Sequence, residues 1–137
     1  MNVLFDTDVL IDVALNREPF VEASAKVVDA AERKLFRAFI AWHSISNFYY
    51  IVASASKEND ARSFIRELLQ FVSISSTTRE TAMYALNLKM PDLEDAMQAA
   101  AAHSCNAERI ITRNIRHYKK SPILAQAPGE FLQEFSF

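Results

Sequence analysis

The stretch Val3-Leu4-Phe5-Asp6-Thr7-Asp8-Val9-Leu10-Ile11-Asp12 limits the possible folds more than any other part of the chain. A short apolar run that ends in an acid predicts a buried parallel strand, with its last residue emerging at the carboxyl edge of a sheet, where open α/β folds place their ligands. Asp6 would sit at that mouth. Val9, Leu10, Val13 and Ala14 then recur at helical spacing, so the chain turns directly from strand into helix, with Thr7 or Asp8 as the entry. Asp6 either caps that helix or holds a divalent cation, and only companions elsewhere in the chain separate the two.

The remaining segments repeat the theme. Asn16-Arg17-Glu18-Pro19 reads as a turn before a helix carrying Val21, Ala25, Val28 and Ala31. Ala38–Trp42 is a second strand, followed by a helix capped by Ser44 or Ser46 and faced by Phe48, Ile51, Val52 and Ala55. An amphipathic helix over Ala61, Phe64, Ile65, Leu68 and Leu69 leads to a third strand, Phe71–Ile74. Thr77-Thr78-Arg79-Glu80 has the form of a capping box with Thr77 and Glu80 as its ends. Pro91 breaks the helix it starts, and Asp92 begins another that is rich in alanine from Ala96 to Ala102. Glu108–Asn114 returns to strand, Ile123–Ala125 is a short edge strand, and Pro128 opens a closing helical turn. Strands alternating with helices predict a parallel sheet covered on both faces, within one domain spanning 1–137.

Composition removes several function classes. A single glycine makes a phosphate-cradling glycine loop improbable, which disfavours the familiar nucleotide sites. One cysteine and no basic-then-apolar leader predict a reducing, cytoplasmic setting, and no apolar run approaches a membrane span. The net charge of -2 gives no global attraction to nucleic acid, so any such partner requires a local basic patch.

Asp6, Asn47 and Asn114 each follow a predicted strand, and the carboxyl ends of parallel strands share one edge. Asp92 and Asp95 are three apart, on one face of a first helical turn, close enough to bind one hard cation together. Oxygen donors without a cysteine or histidine cluster favour magnesium or manganese over zinc. Each residue also has an ordinary role: Asp92 as a cap, Glu94 and Asp95 as partners of the helix dipole, Asn47 as a core amide and Asn114 as a turn residue. Arg109, Arg113, Arg116, His117, Lys119 and Lys120 form a basic stretch beside the predicted pocket that suits phosphate, or serves as a solvated loop.

These residues resemble the PIN-domain family of metal-dependent ribonucleases, in particular its small prokaryotic branch with the toxins of toxin-antitoxin pairs. The resemblance rests on Phe5–Asp12, on Ser44–Tyr50, on Asp92–Gln98 and on Ile110–Asn114. It implies a three-layer α/β/α sandwich with a central parallel sheet, and cleavage of single-stranded RNA using Mg2+ or Mn2+. Asp6, Asp92 and Asp95 would then be metal-holding catalytic acids, Asn114 a further catalytic group, and Asn47 and Thr112 members of the pocket. Arg113, Arg116, Lys119 and Lys120 would meet RNA, and an antitoxin protein or a second copy of the chain would be a partner. Many members carry glutamate where Asn47 stands and an acid near Asn114, where this chain has His117. Fewer negative charges weaken cation binding, which keeps open a PIN-like domain that only binds RNA or protein. Asp6-Thr7-Asp8-Val9-Leu10 also looks like the first motif of haloacid-dehalogenase-type phosphatases, but Asn87–Pro91, which leads into Asp92, lacks the strand character that such a fold needs there.

Overall fold

β1 (Asn2–Phe5) lies at the centre of a five-stranded parallel sheet, with β2 (Arg37–Ile40) and then β3 (Val72–Ile74) on one side and β4 (Arg109–Ile111) and then β5 (Ala125–Gln126) on the other. A computed structural model describes residues 1–137, the side chain of Glu58 excepted. Leu4 pairs with Phe39 on one side and Ile110 on the other. The strand order therefore reverses at β1 and β4, and the crevice beyond their carboxyl ends is where such sheets bind ligands.

Side-chain alternation along β1 and β4 sorts the helices into two layers. Val3, Phe5 and Ile111 join a core built with α1 (Thr7–Ala14), α2 (Val21–Glu32), α3 (Trp42–Ala55), α4 (Glu58–Leu68) and α7 (Pro128–Phe135). Leu4 and Ile110 face the opposite layer, α5 (Arg79–Asn87) and α6 (Leu93–Ser104), where Ala96 and Ala99–Ala102 let α6 lie close against the sheet. The molecule is the expected three-layer α/β/α sandwich.

Several boundaries differ from the sequence reading for local reasons. Asp6 itself, not Thr7 or Asp8, is the N-cap of α1, because its extended backbone lets Oδ1 accept from the Thr7 amide at 2.7 Å. α3 begins at Trp42 with no side-chain cap, so neither Ser44 nor Ser46 serves that role. The capping box is displaced by one residue, to Thr78 and Thr81. The last strand forms at Ala125–Gln126, α7 is a full helix instead of a single turn, and a 3₁₀ turn, Ile115–Tyr118, follows β4. Phe135 and Phe137 pack on Phe36 and Phe131, so the aromatic tail closes the first core.

The scarcity of glycine has a visible consequence. Asn16, Lys34 and Asn106 adopt positive φ just past the ends of α1, α2 and α6. In each case the next amide bonds back to Asp12, Ala30 or Ala102. These helices therefore end in the left-handed cap that glycine normally supplies, at a cost of about 1 kcal/mol per residue.

Candidate active site

Beyond the ends of β1 and β4 lies a cleft of about 400 Å³, lined by Asp6, Asp8, Asn47, Glu94, Asp95 and Asn114 among others. Asp6 reaches it from the end of β1, Asp8 from the first turn of α1, Asn47 from α3, Glu94 and Asp95 from the first turn of α6, and Asn114 from the segment after β4. Residues 6 and 95, far apart along the chain, thus open onto one space.

Asp6 is only 8% exposed and is held on both oxygens. Oδ1 caps α1, while Oδ2 accepts the Thr112 hydroxyl at 2.8 Å and the Tyr118 hydroxyl at 2.9 Å. Burial pushes its carboxyl above the ordinary range, against the lowering by those donors. Asp8 Oδ2 accepts the Asn114 side-chain amide at 3.0 Å and the Arg113 backbone amide at 3.2 Å, while Oδ1 is buried without a partner. Burial, and then the Asp6 charge, raise Asp8 to about 7. Asp95 rises to about 6 through burial and the charges of Asp92 and Asp6, opposed by His117, whose Nδ1 lies 3.6 Å from Asp95 Oδ2. Glu94 is raised by burial and by Asp6 and Asp92, opposed by the Asn47 amide donating to Oε1 at 2.8 Å. Carboxylates that hold one another's protons on are short of positive charge.

Asp92 sits differently. Its Oδ1 accepts the Asp95 amide at 3.1 Å as the cap of α6, and it opens on an adjoining recess of about 390 Å³ that it shares with Asp95, Arg116, His117, Lys119 and Lys120. Three of the four expected RNA-binding cations therefore do gather beside the acids. Arg113 lines the acidic cleft instead of that recess; its guanidinium donates to both oxygens of the fully buried Asp12, at 2.7 and 3.2 Å, and lies 4.4 Å from the centre of the Phe20 ring. Its charge and planar face are thus engaged within the fold, unlike those expected of a cation held only for phosphate.

Sequence reasoning passed over the support beneath Asp6. Thr7 of α1, Ser44 of α3 and Gln98 of α6 meet in the interior, where Gln98 Nε2 donates to Ser44 Oγ at 2.8 Å and to Thr7 Oγ1 at 3.3 Å, and the Thr7 hydroxyl donates to Ser44 Oγ at 2.9 Å. A glutamine inside an alanine-rich helix was the one available sign. Tyr118 and Asp12 were equally silent, because their partners are 112 and 101 residues away.

The donor set suits a hard cation. All of it is oxygen, and among the described residues no three of His, Cys, Asp and Glu form a ready-made cage. Magnesium, which keeps several waters and uses one or two carboxylates, needs no such cage. Asp6 and Asp95 are the residues that would hold it, with the orphaned Asp8 oxygen and Glu94 lining the same cleft.

A PIN domain family model matches residues 2–116, while no curated protein matches the chain. The fold is similar to VapBC2 from Rickettsia felis bound to a DNA fragment from their promoter, with TM-score 0.72, 18% identity, and coverage of 93% of this chain and 98% of that one. It is similar to a toxin-antitoxin complex from Klebsiella pneumoniae, with TM-score 0.70, 23% identity, and coverage of 92% and 97%. VapC20 of Mycobacterium tuberculosis, a sarcin-ricin loop cleaving toxin, shares it with TM-score 0.63 at 10% identity, over 79% of this chain and 86% of that one. With a family model matched across most of its length, and acids brought together at the sheet's switch point, this chain belongs to the PIN domain family.

Proposed function

We propose that the protein is a metal-dependent endoribonuclease that cleaves single-stranded RNA, acting as the toxin of a toxin-antitoxin pair. The observation that carries this reading is the shared cleft of Asp6 and Asp95, which are acidic, mutually repelling and beside a cationic recess. Family membership and the toxin-antitoxin context of the similar structures support it. Asp6 and Asp95 would hold the Mg2+ or Mn2+, which when bound would lower the pKa of a water and offset charge on the leaving oxygen.

The chain's own residues do the rest. Thr112 and Tyr118 fix the direction of the Asp6 lone pairs, and the α6 cap by Asp92 fixes Asp95. Asn47 orients Glu94, and Asn114 orients Asp8. The two amides thus act on neighbouring carboxylates, and Asn114 contributes to catalysis through Asp8. Arg116, Lys119 and Lys120 hold the RNA backbone against the cleft.

A domain that binds RNA or a partner without cleaving is the second reading, favoured by the lack of a preformed three-residue metal cage among the described residues. The test is cleavage of a panel of single-stranded RNAs with Mg2+ or Mn2+. Asp6→Asn and Asp95→Asn should each lower cleavage by at least about 100-fold, the scale at which even outer partners of a metal matter. Cation-independent binding with no cleavage by the parent protein would sink the nuclease reading. A protein-binding role is tested separately, by co-purification with the product of a neighbouring small reading frame.

A further inference from the structure

A second recess shares a wall residue with the acidic cleft. It is a groove of about 730 Å³ between α3 and α4, and Tyr50 lines both it and the cleft. Trp42, Ile45, Tyr49 and Tyr50 form one helical stripe on α3 that packing would normally cover. Here Trp42 is 61% exposed and Tyr50 71%. Ile45, Ile65 and Leu69 line the groove with Arg66 beside them, and the Tyr49 ring meets that of Tyr50 edge-on at 5.6 Å.

Building on the ribonuclease reading, we infer that this groove is a nucleobase subsite: an unpaired base next to the scissile phosphate stacks on Tyr50, with Trp42 as a second platform. Three features select RNA as the occupant. The groove shares Tyr50 with the cleft and the cationic recess shares Asp95 with it, so a single strand lying over the acids reaches both. Exposed flat rings beside an arginine are what sequence-tolerant binding of single strands uses. The furrow between α2 and α4 provides the contrast, since its apolar floor is flanked by Glu32 and Glu67, which repel phosphate.

The experiment measures KM and kcat on a single-stranded RNA that the parent cleaves, and on the same RNA with an abasic nucleotide beside the cleavage point. Tyr50→Ala and Trp42→Ala should each raise KM about tenfold with little change in kcat, and Tyr50→Phe, which keeps the ring, should restore binding. Removing the base should raise the parent's KM similarly and add nothing to Tyr50→Ala. An unchanged KM, or fully additive losses, overturns the subsite. So does a variant that loses self-association or a protein partner while binding RNA normally. If the parent cleaves no RNA, the nuclease reading falls by itself. Fluorescence anisotropy of the same RNA in EDTA then decides the subsite: a tenfold weaker Tyr50→Ala supports it, and equal affinity overturns it.

Discussion

Asp12 lies within two turns of Asp6 and Asp8 along α1, yet it and the acidic rim around Asp6 reach opposite electrostatic outcomes. Asp12 is fully buried and meets Arg113 through two hydrogen bonds, with Phe20 against the guanidinium. Among the described residues, no lysine or arginine side chain forms an ion pair with Asp6, Asp8, Glu94 or Asp95; burial raises all four, and the charge of neighbouring carboxylates raises Asp8, Glu94 and Asp95 further. The protein carries its own counterion at one place and at the other gathers carboxylates with no ion-paired lysine or arginine among the described residues. An internal pair serves the fold, whereas an unbalanced cluster is strain that function retains.

The sharpest way to break this contrast is at the internal pair. Arg113→Ala leaves Asp12 buried and uncompensated, and should cost roughly 3–5 kcal/mol in urea unfolding. The double variant Asp12→Leu/Arg113→Met should recover most of that loss. A small effect of the single change would mean that Arg113 is free for RNA after all.

The rim should respond to pH and metal. Asp8 at about 7 and Asp95 at about 6 bind protons more tightly folded than unfolded. Their contribution is therefore most favourable below the ordinary carboxylate range and is lost as pH rises toward about 7. In EDTA the melting temperature should fall by several degrees between about pH 5 and pH 7.5. Millimolar Mg2+ or Mn2+ should reverse that fall at the higher pH and act weakly at the lower one, where protons compete. A melting temperature that rises with pH in EDTA would contradict the unbalanced rim.

The smallest effect concerns the recess. Lys119→Ala and Lys120→Ala should each reduce the salt dependence of RNA binding by about one unit of slope, with Arg113→Lys moving it less. Equal effects at all three positions would erase the distinction between engaged and available cations.

The family resemblance was legible because it rests on local patterns: an apolar run into Asp6, the Asp92–Asp95 spacing at a helix start, and Ile110–Thr112 after the last long gap. Asn47 and Asn114 could be placed near the cleft, but not given partners. Their hydrogen bonds to Glu94 and Asp8 span 47 and 106 residues, and no periodicity encodes such distances. The pairing of Arg113 with Asp12 was hidden for the same reason, since charge can be read from sequence and its engagement cannot.

By itself, then, the sequence determined the alternation of strand and helix, and which ends carry acid, because period and capping depend on neighbours a few residues away. Tertiary structure alone decided which carboxylate received a guanidinium, that Gln98, Ser44 and Thr7 interlock beneath Asp6, and that Tyr50 bridges two recesses. Those outcomes depend on how three layers close around one sheet, where burial converts small differences in position into large differences in charge balance.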